Sequence, residues 1–201
     1  PIIVILFSVA LIVFWRFKRS FRWMVLLYAL VAYAGAIILK NIVQLLTAST
    51  VVGSYGAQSV VFGLYLGLQT VVFEVGGAFI VAWFLASRSK LFAKDSEAYG
   101  ISLAFWENGA LLGILPLINL IAVYAILASN TPLAVTVYDQ LFVSQPGLFD
   151  QSLGVLPLIG WGILERFSSL LFHFAWGYLV VMAAVFRRWP LLLLALPMGL
   201  I

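Results

Sequence analysis

Residues 60–86 read VVFGLYLGLQTVVFEVGGAFIVAWFLA, 27 residues in which Glu74 is the only acidic or basic side chain. Wound as an α-helix rising about 1.5 Å per residue, such a stretch is longer than the roughly 30 Å hydrocarbon core of a bilayer. It is closed by Arg88, Lys90 and Lys94, the basic flank that holds a spanning helix at the cytoplasmic interface. Five further apolar runs, at residues 1–15, 23–46, 98–128, 155–186 and 189–201, continue the pattern, the last of them cut off. The fold class expected is therefore all-α, a polytopic transmembrane bundle of about six helices.

Composition closes off the alternatives. The chain is 65% hydrophobic and 9% charged, against about 25% charged in soluble domains, so no soluble core could hide its apolar surface. The runs are too long, and alternate too little, for barrel strands. The net charge of +4 is no nucleic-acid footprint, because the basic residues sit in short clusters between apolar runs. Cysteine is absent, which removes disulfides, thiolate metal sites and cysteine nucleophiles.

Nine of the eleven Lys and Arg residues follow the first, third and fifth runs. By the positive-inside rule this places segments 16–22, 87–97 and 187–188 in the cytoplasm, with the plasma membrane as the expected location. Residues 1–201 read as a single integral membrane domain. Pro1 is not a methionine and Ile201 falls inside an apolar run, so a fragment of a slightly longer chain is expected. A loop rich in Ser, Thr and Gly is expected between the second and third runs, and a polar segment with Asp139 and Asp150 over 129–154. Pro116 predicts a kink, and Pro157 with Gly160 predicts a broken or re-entrant start to the fifth run. Gly63 with Gly67, and Gly109 with Gly113, predict close packing faces.

Function must lie in the polar residues stranded inside these runs. They are Lys40, Glu74, Glu107, Glu165, Arg166 and His173, with Gln44, Asn108 and Asn119. A charge at mid-bilayer costs at least about 2.5–3.5 kcal/mol, so such side chains turn inward and find partners. Counted from the basic end of each helix, Glu74, Glu107 and His173 all fall about 15–21 Å deep. Glu165 and Arg166 lie about two turns further out than His173, and Lys40 is displaced the same way; these form an outer layer of structural ion pairs, Lys40 with Glu165 and Arg166 beside them. Ser169 lies four residues before His173 and shares its helix face. The midplane trio admits several readings: a hydrogen-bonded packing cluster joined by Asn108 and Asn119, a glutamate acting as general base on water, a site for a divalent metal, or a proton or small-solute pathway.

The same residues carry a family resemblance. Phe73-Glu74-Val75-Gly76-Gly77-Ala78, then Tyr99-Gly100, Trp106-Glu107, Gly113 and Asn119, and finally Glu165-Arg166-Phe167 through Phe172-His173 resemble the motifs of the YhfC family of membrane peptidases, distant relatives of the CAAX-protease and bacteriocin-processing (Abi) group of glutamate-dependent intramembrane proteases. The resemblance implies that fold, and an active site with Glu74 as general base, Glu107 as second acid and His173 as metal ligand or oxyanion stabiliser. Three family positions differ: a second glutamate is Val75, an arginine is Ala78, and a histidine is replaced at Leu103 or a neighbour. Because the family uses that glutamate and histidine to activate water or hold metal, the departures point to a noncatalytic integral subunit or scaffold of a larger membrane assembly. An active intramembrane protease and a proton or small-solute pathway are the alternatives. The expected partners are the lipid bilayer and other membrane subunits, not nucleic acid; no cofactor is specified and a divalent metal stays open.

Overall fold

The computed structural model describes residues 1–19, 21–129, 131–144 and 155–200, and their regular structure is entirely helical. In chain order, α1 is Ile2–Lys18 and α2 is Trp23–Tyr55. The third helix, α3, joins Val60–Gln69, a π-helical stretch Thr70–Val75 and Gly76–Ser87. The fourth, α4, opens on a 3-10 turn at Ala93–Asp95, continues as Ser96–Ala104, widens to a π-helix over Phe105–Ile114 and ends as Leu115–Leu127. Then come α5, Pro132–Ser144, and α6, Val155–Phe186. Finally α7 runs over Trp189–Ala195 and closes in a 3-10 turn, Leu196–Gly199.

Four of these helices are long and apolar enough to cross a membrane: Trp23–Tyr55, Val60–Ser87, Ala93–Leu127 and Gly160–Phe186. Large apolar side chains such as Phe17, Leu45, Val60 and Ile80 face outward, as they must where the surrounding solvent is hydrocarbon. The chain is an integral membrane protein with a polytopic helical bundle. The last apolar run contributes the shorter helix Trp189–Gly199, 11 residues rising about 16 Å.

Local chemistry explains where the sequence reading and the helices part company. The expected Ser/Thr/Gly loop is helical to Tyr55, since Thr47 turns its hydroxyl back onto the Val43 carbonyl at 2.7 Å and so needs no loop to satisfy it. The stop comes at Gly56, whose φ of +82° suits a residue without Cβ. Ser59 then accepts a hydrogen bond from the Phe62 amide at 3.1 Å and starts α3. The irregularity anticipated at Pro116 sits just before it, as the π stretch ending at Ile114; such a stretch re-routes backbone bonds around a residue with no N–H to give. The start of α6 is unbroken through Pro157 and Gly160. Half of the polar segment, Pro132–Ser144, is the helix α5, while Asp150 lies outside the described residues.

Lipid tails are as apolar as leucine, so packing in the bundle rests on close backbone approach and internal polar bonds. The closest approach joins α4 to α6: a Cβ on Gly100 would come within 2.4 Å of the Phe174 carbonyl oxygen, and one on Gly177 within 2.6 Å of the Gly100 Cα. Gly109 and Gly113 seat α1, against Ser8 and Ile5. Gly67 is tight against Leu200 at the tip of α7, whereas Gly63 faces open space. Across the core, the Tyr99 hydroxyl donates to the Ala78 carbonyl at 3.0 Å and the Trp106 indole to the Leu26 carbonyl at 2.9 Å. At the basic end Arg22 clamps the fully buried Asp95 and donates to the Lys90 carbonyl at 2.9 Å. The Asp95 hydrogen bond raises the Arg22 pKa above its ordinary value.

Candidate functional site

Both intramembrane glutamates stand on π-helical turns, Glu74 within Thr70–Val75 and Glu107 within Phe105–Ile114. A π turn widens the helix and re-aims its side chains, and such turns gather at functional sites. Here the two turns and α6 bring Glu74, Glu107 and His173 together: one ligand atom from each lies within 4.8 Å of the others. Glu74 and His173 are buried and Glu107 nearly so. The expected midplane convergence is thus present as geometry, built by helices far apart in the chain.

The hydrogen bonds orient each group. His173 Nδ1 lies 2.9 Å from the Ser169 carbonyl oxygen; a carbonyl can only accept, so Nδ1 carries hydrogen and donates. Nε2 is thereby turned toward the carboxylates, 3.4 Å from Glu74 Oε2 and paired with Glu107 Oε2. The Ser169 hydroxyl donates to Glu107 Oε1 at 3.4 Å, and the Trp176 ring packs on the imidazole with centroids 4.8 Å apart. Glu107 Oε2 is buried and accepts no well-formed hydrogen bond, although it faces Nε2. A neutral Nε2 would aim its lone pair at two carboxylates, which repels; a proton or a metal cation between them removes the conflict.

Lys40 belongs to this site and not to the outer layer. Its ammonium donates to Glu74 Oε1 at 2.6 Å and to the Thr70 hydroxyl at 2.8 Å. The expected Lys40–Glu165 pairing is not what forms; Glu165 pairs with its neighbour Arg166 and is itself exposed. The physical reason is burial: Glu74, enclosed in the bundle, needs a counter-charge more than Glu165 does. Asn108 and Asn119 also stand apart from the cluster. Asn108 is buried and donates to the Ala104 carbonyl of its own helix at 3.3 Å, while Asn119 is exposed on α4. Thr70 was not singled out from sequence, although its four-residue spacing from Glu74 puts both on one helix face.

A cavity of about 470 Å³ opens onto the cluster. It is lined by the polar Lys40, Thr70, Glu74, Glu107 and His173 together with Gly63 and Gly67 of α3, Arg166 and Ser169 of α6, and Met198 to Leu200 at the tip of α7. Toward the basic end the packing is apolar, with Val75, Tyr99 and Leu103 fully buried. Val75 stands where the motif pattern has a second glutamate and Leu103, or a neighbour, where it has a histidine; Val75 and Leu103 both serve the core.

A helical membrane bundle whose interior presents two carboxylates and an imidazole has the construction of an intramembrane protease-like protein. The chain belongs to the YhfC intramembrane metalloprotease family, whose family model matches residues 3–198, well beyond the 60–186 over which motifs are readable. No curated protein matches the chain, and neither does any solved structure.

The residues fit the metal that the family's description implies. An imidazole nitrogen and a carboxylate, with a second carboxylate beside them, are the kinds of donor that zinc and its neighbours take. The hydrogen bond from Nδ1 to a backbone carbonyl is the support such a ligand receives in metal sites. Glu107 Oε2 is enclosed and faces His173 Nε2, so the two donor atoms already point at one another.

Proposed function

We propose that the chain is a metal-dependent peptidase that hydrolyses peptide bonds inside the membrane, with Glu107 and His173 holding a divalent cation and Glu74 beside them as general base. The observation that carries this reading is the 4.8 Å convergence of the three donor atoms at a polar-lined cavity. A divalent cation held there would polarise the scissile carbonyl and ease deprotonation of water. Glu74 Oε2, the oxygen not engaged by Lys40, accepts a proton from the attacking water. That proton passes to the amine nitrogen as the C–N bond breaks, and the water oxygen stays on the acyl carbon. The protein sits in the plasma membrane, with 16–22, 87–97 and 187–188 in the cytoplasm.

The test is cleavage of a membrane-inserted peptide library by the purified chain in lipid nanodiscs. Glu74→Gln should keep the fold and lose cleavage; unchanged turnover in that variant removes Glu74 from the chemistry. Val75 and Leu103 favour a second reading, a noncatalytic subunit or scaffold. Val75 fills with hydrocarbon a position where the motif pattern has a glutamate, Leu103 or a neighbour replaces its histidine, and Lys40 neutralises one of the two remaining acids. On that reading gentle detergent extraction recovers stoichiometric partner chains and no cation is bound.

A further inference from the structure

We infer that Lys40, assisted by Thr70, is a positioning residue that reserves Glu74 for proton transfer by keeping it out of the cation's donor set. The inference rests on the peptidase reading and assigns a division of labour between the two glutamates. They are chemically alike, yet their surroundings differ. Glu74 Oε1 receives the Lys40 ammonium at 2.6 Å and the Thr70 hydroxyl at 3.4 Å, leaving Oε2 alone to face His173. Glu107 has no cationic side chain of its own among the described residues: Oε1 receives a neutral hydroxyl from Ser169 at 3.4 Å, and Oε2 has only the imidazole before it.

Charge and geometry act together. A carboxylate already compensated by an ammonium attracts a dication less than one that is not, and its second oxygen is unavailable for two-oxygen coordination. Glu107 is therefore the better ligand and Glu74 the better base. The clamp comes from α2, while its target sits on the π turn of α3. Lys40 reaches Glu74 and Thr70 together only because these are four residues apart on one face.

Replacing the ammonium separates this role from a merely structural one. In Lys40→Met, Glu74 loses its counter-charge and becomes free to join the cation. Zn(II) titration of the purified full chain in nanodiscs should show binding tighter by about tenfold or more, while kcat with the site saturated falls by about tenfold or more. Lys40→Arg keeps the charge and should stay near the parent in cation affinity. If Lys40→Met does not fold, Lys40→Gln, which can still hydrogen-bond Oε1 but carries no charge, supplies the same measurement with the same expected direction. Unchanged or weaker Zn(II) binding in the neutral variant, with the parent protein binding normally, overturns the inference alone. No Zn(II) binding by the parent protein overturns the peptidase reading and the inference with it.

Discussion

Gly100→Ala is the smallest change that should open the site from a distance. The new methyl would lie 2.4 Å from the Phe174 carbonyl oxygen and 3.1 Å from the Tyr178 amide nitrogen, both backbone atoms that no rotamer change can move. Real Cβ contacts essentially never fall below 3.0 Å, so α4 and α6 must separate by about 0.6 Å or more in an interior packed to crystal-like density. Overpacking of this kind costs about 1–3 kcal/mol. The same displacement reaches the cluster, because Glu107 lies two turns along α4 and His173 on the facing stretch of α6. Sites of this kind tolerate about 0.5 Å, and larger misplacements cost up to about 100-fold. Thermal unfolding in detergent, read beside Zn(II) affinity, checks both effects, with Gly53→Ala as control because nothing lies within 4 Å of its Cβ and it is away from the cavity. If Gly100→Ala unfolds and binds like Gly53→Ala, the close α4–α6 contact is not what sets the site's geometry.

Two further outcomes follow from the packing and charge. Arg22→Ala strips the guanidinium from a fully buried Asp95, which keeps only the Phe92 amide at 2.9 Å; a loss of about 1–3 kcal/mol is expected in chemical or thermal unfolding, less than for a wholly enclosed pair because the Arg22 side chain is 37% exposed. The sign of its pH dependence is also set: a guanidinium with a raised pKa loses its stabilising contribution only at strongly alkaline pH, so the Arg22 contribution should be flat between about pH 6 and pH 9. Asn119→Leu, at an exposed position on α4, should change stability by no more than about 0.5 kcal/mol and leave Zn(II) binding intact; a large loss of either would return Asn119 to the cluster from which the geometry removes it.

The spanning helices and the convergence of Glu74, Glu107 and His173 were legible because hydrophobic run length and helical rise are local quantities. Which further polar groups would meet them was less so. Helical depth places Lys40 in an outer layer with Glu165, but its long side chain reaches Glu74 across to α3, and a count of residues along one helix cannot see a partner on another. The π turns under both glutamates leave no periodicity signal, since the stretches around them remain apolar throughout. The contact of Gly100 with Gly177 was hidden for a similar reason: neither belongs to a glycine pair at four-residue spacing, and their partnership lies between helices. The segment over 129–154 contains the short helix α5, whose polar positions and flanking Thr131 and Pro132 masked its helical character.

The account stands on one cation being held where α3, α4 and α6 meet. Elemental analysis of the full-length protein, purified without chelator and exchanged into nanodiscs, measures this directly for the parent chain and for Glu107→Gln, His173→Asn and Glu74→Gln. The account expects about one zinc-like ion per chain in the parent, near-complete loss in the first two variants and retention in the third. A parent chain that carries no ion under any metal supply, or variants at 107 and 173 that bind as the parent does, would contradict it.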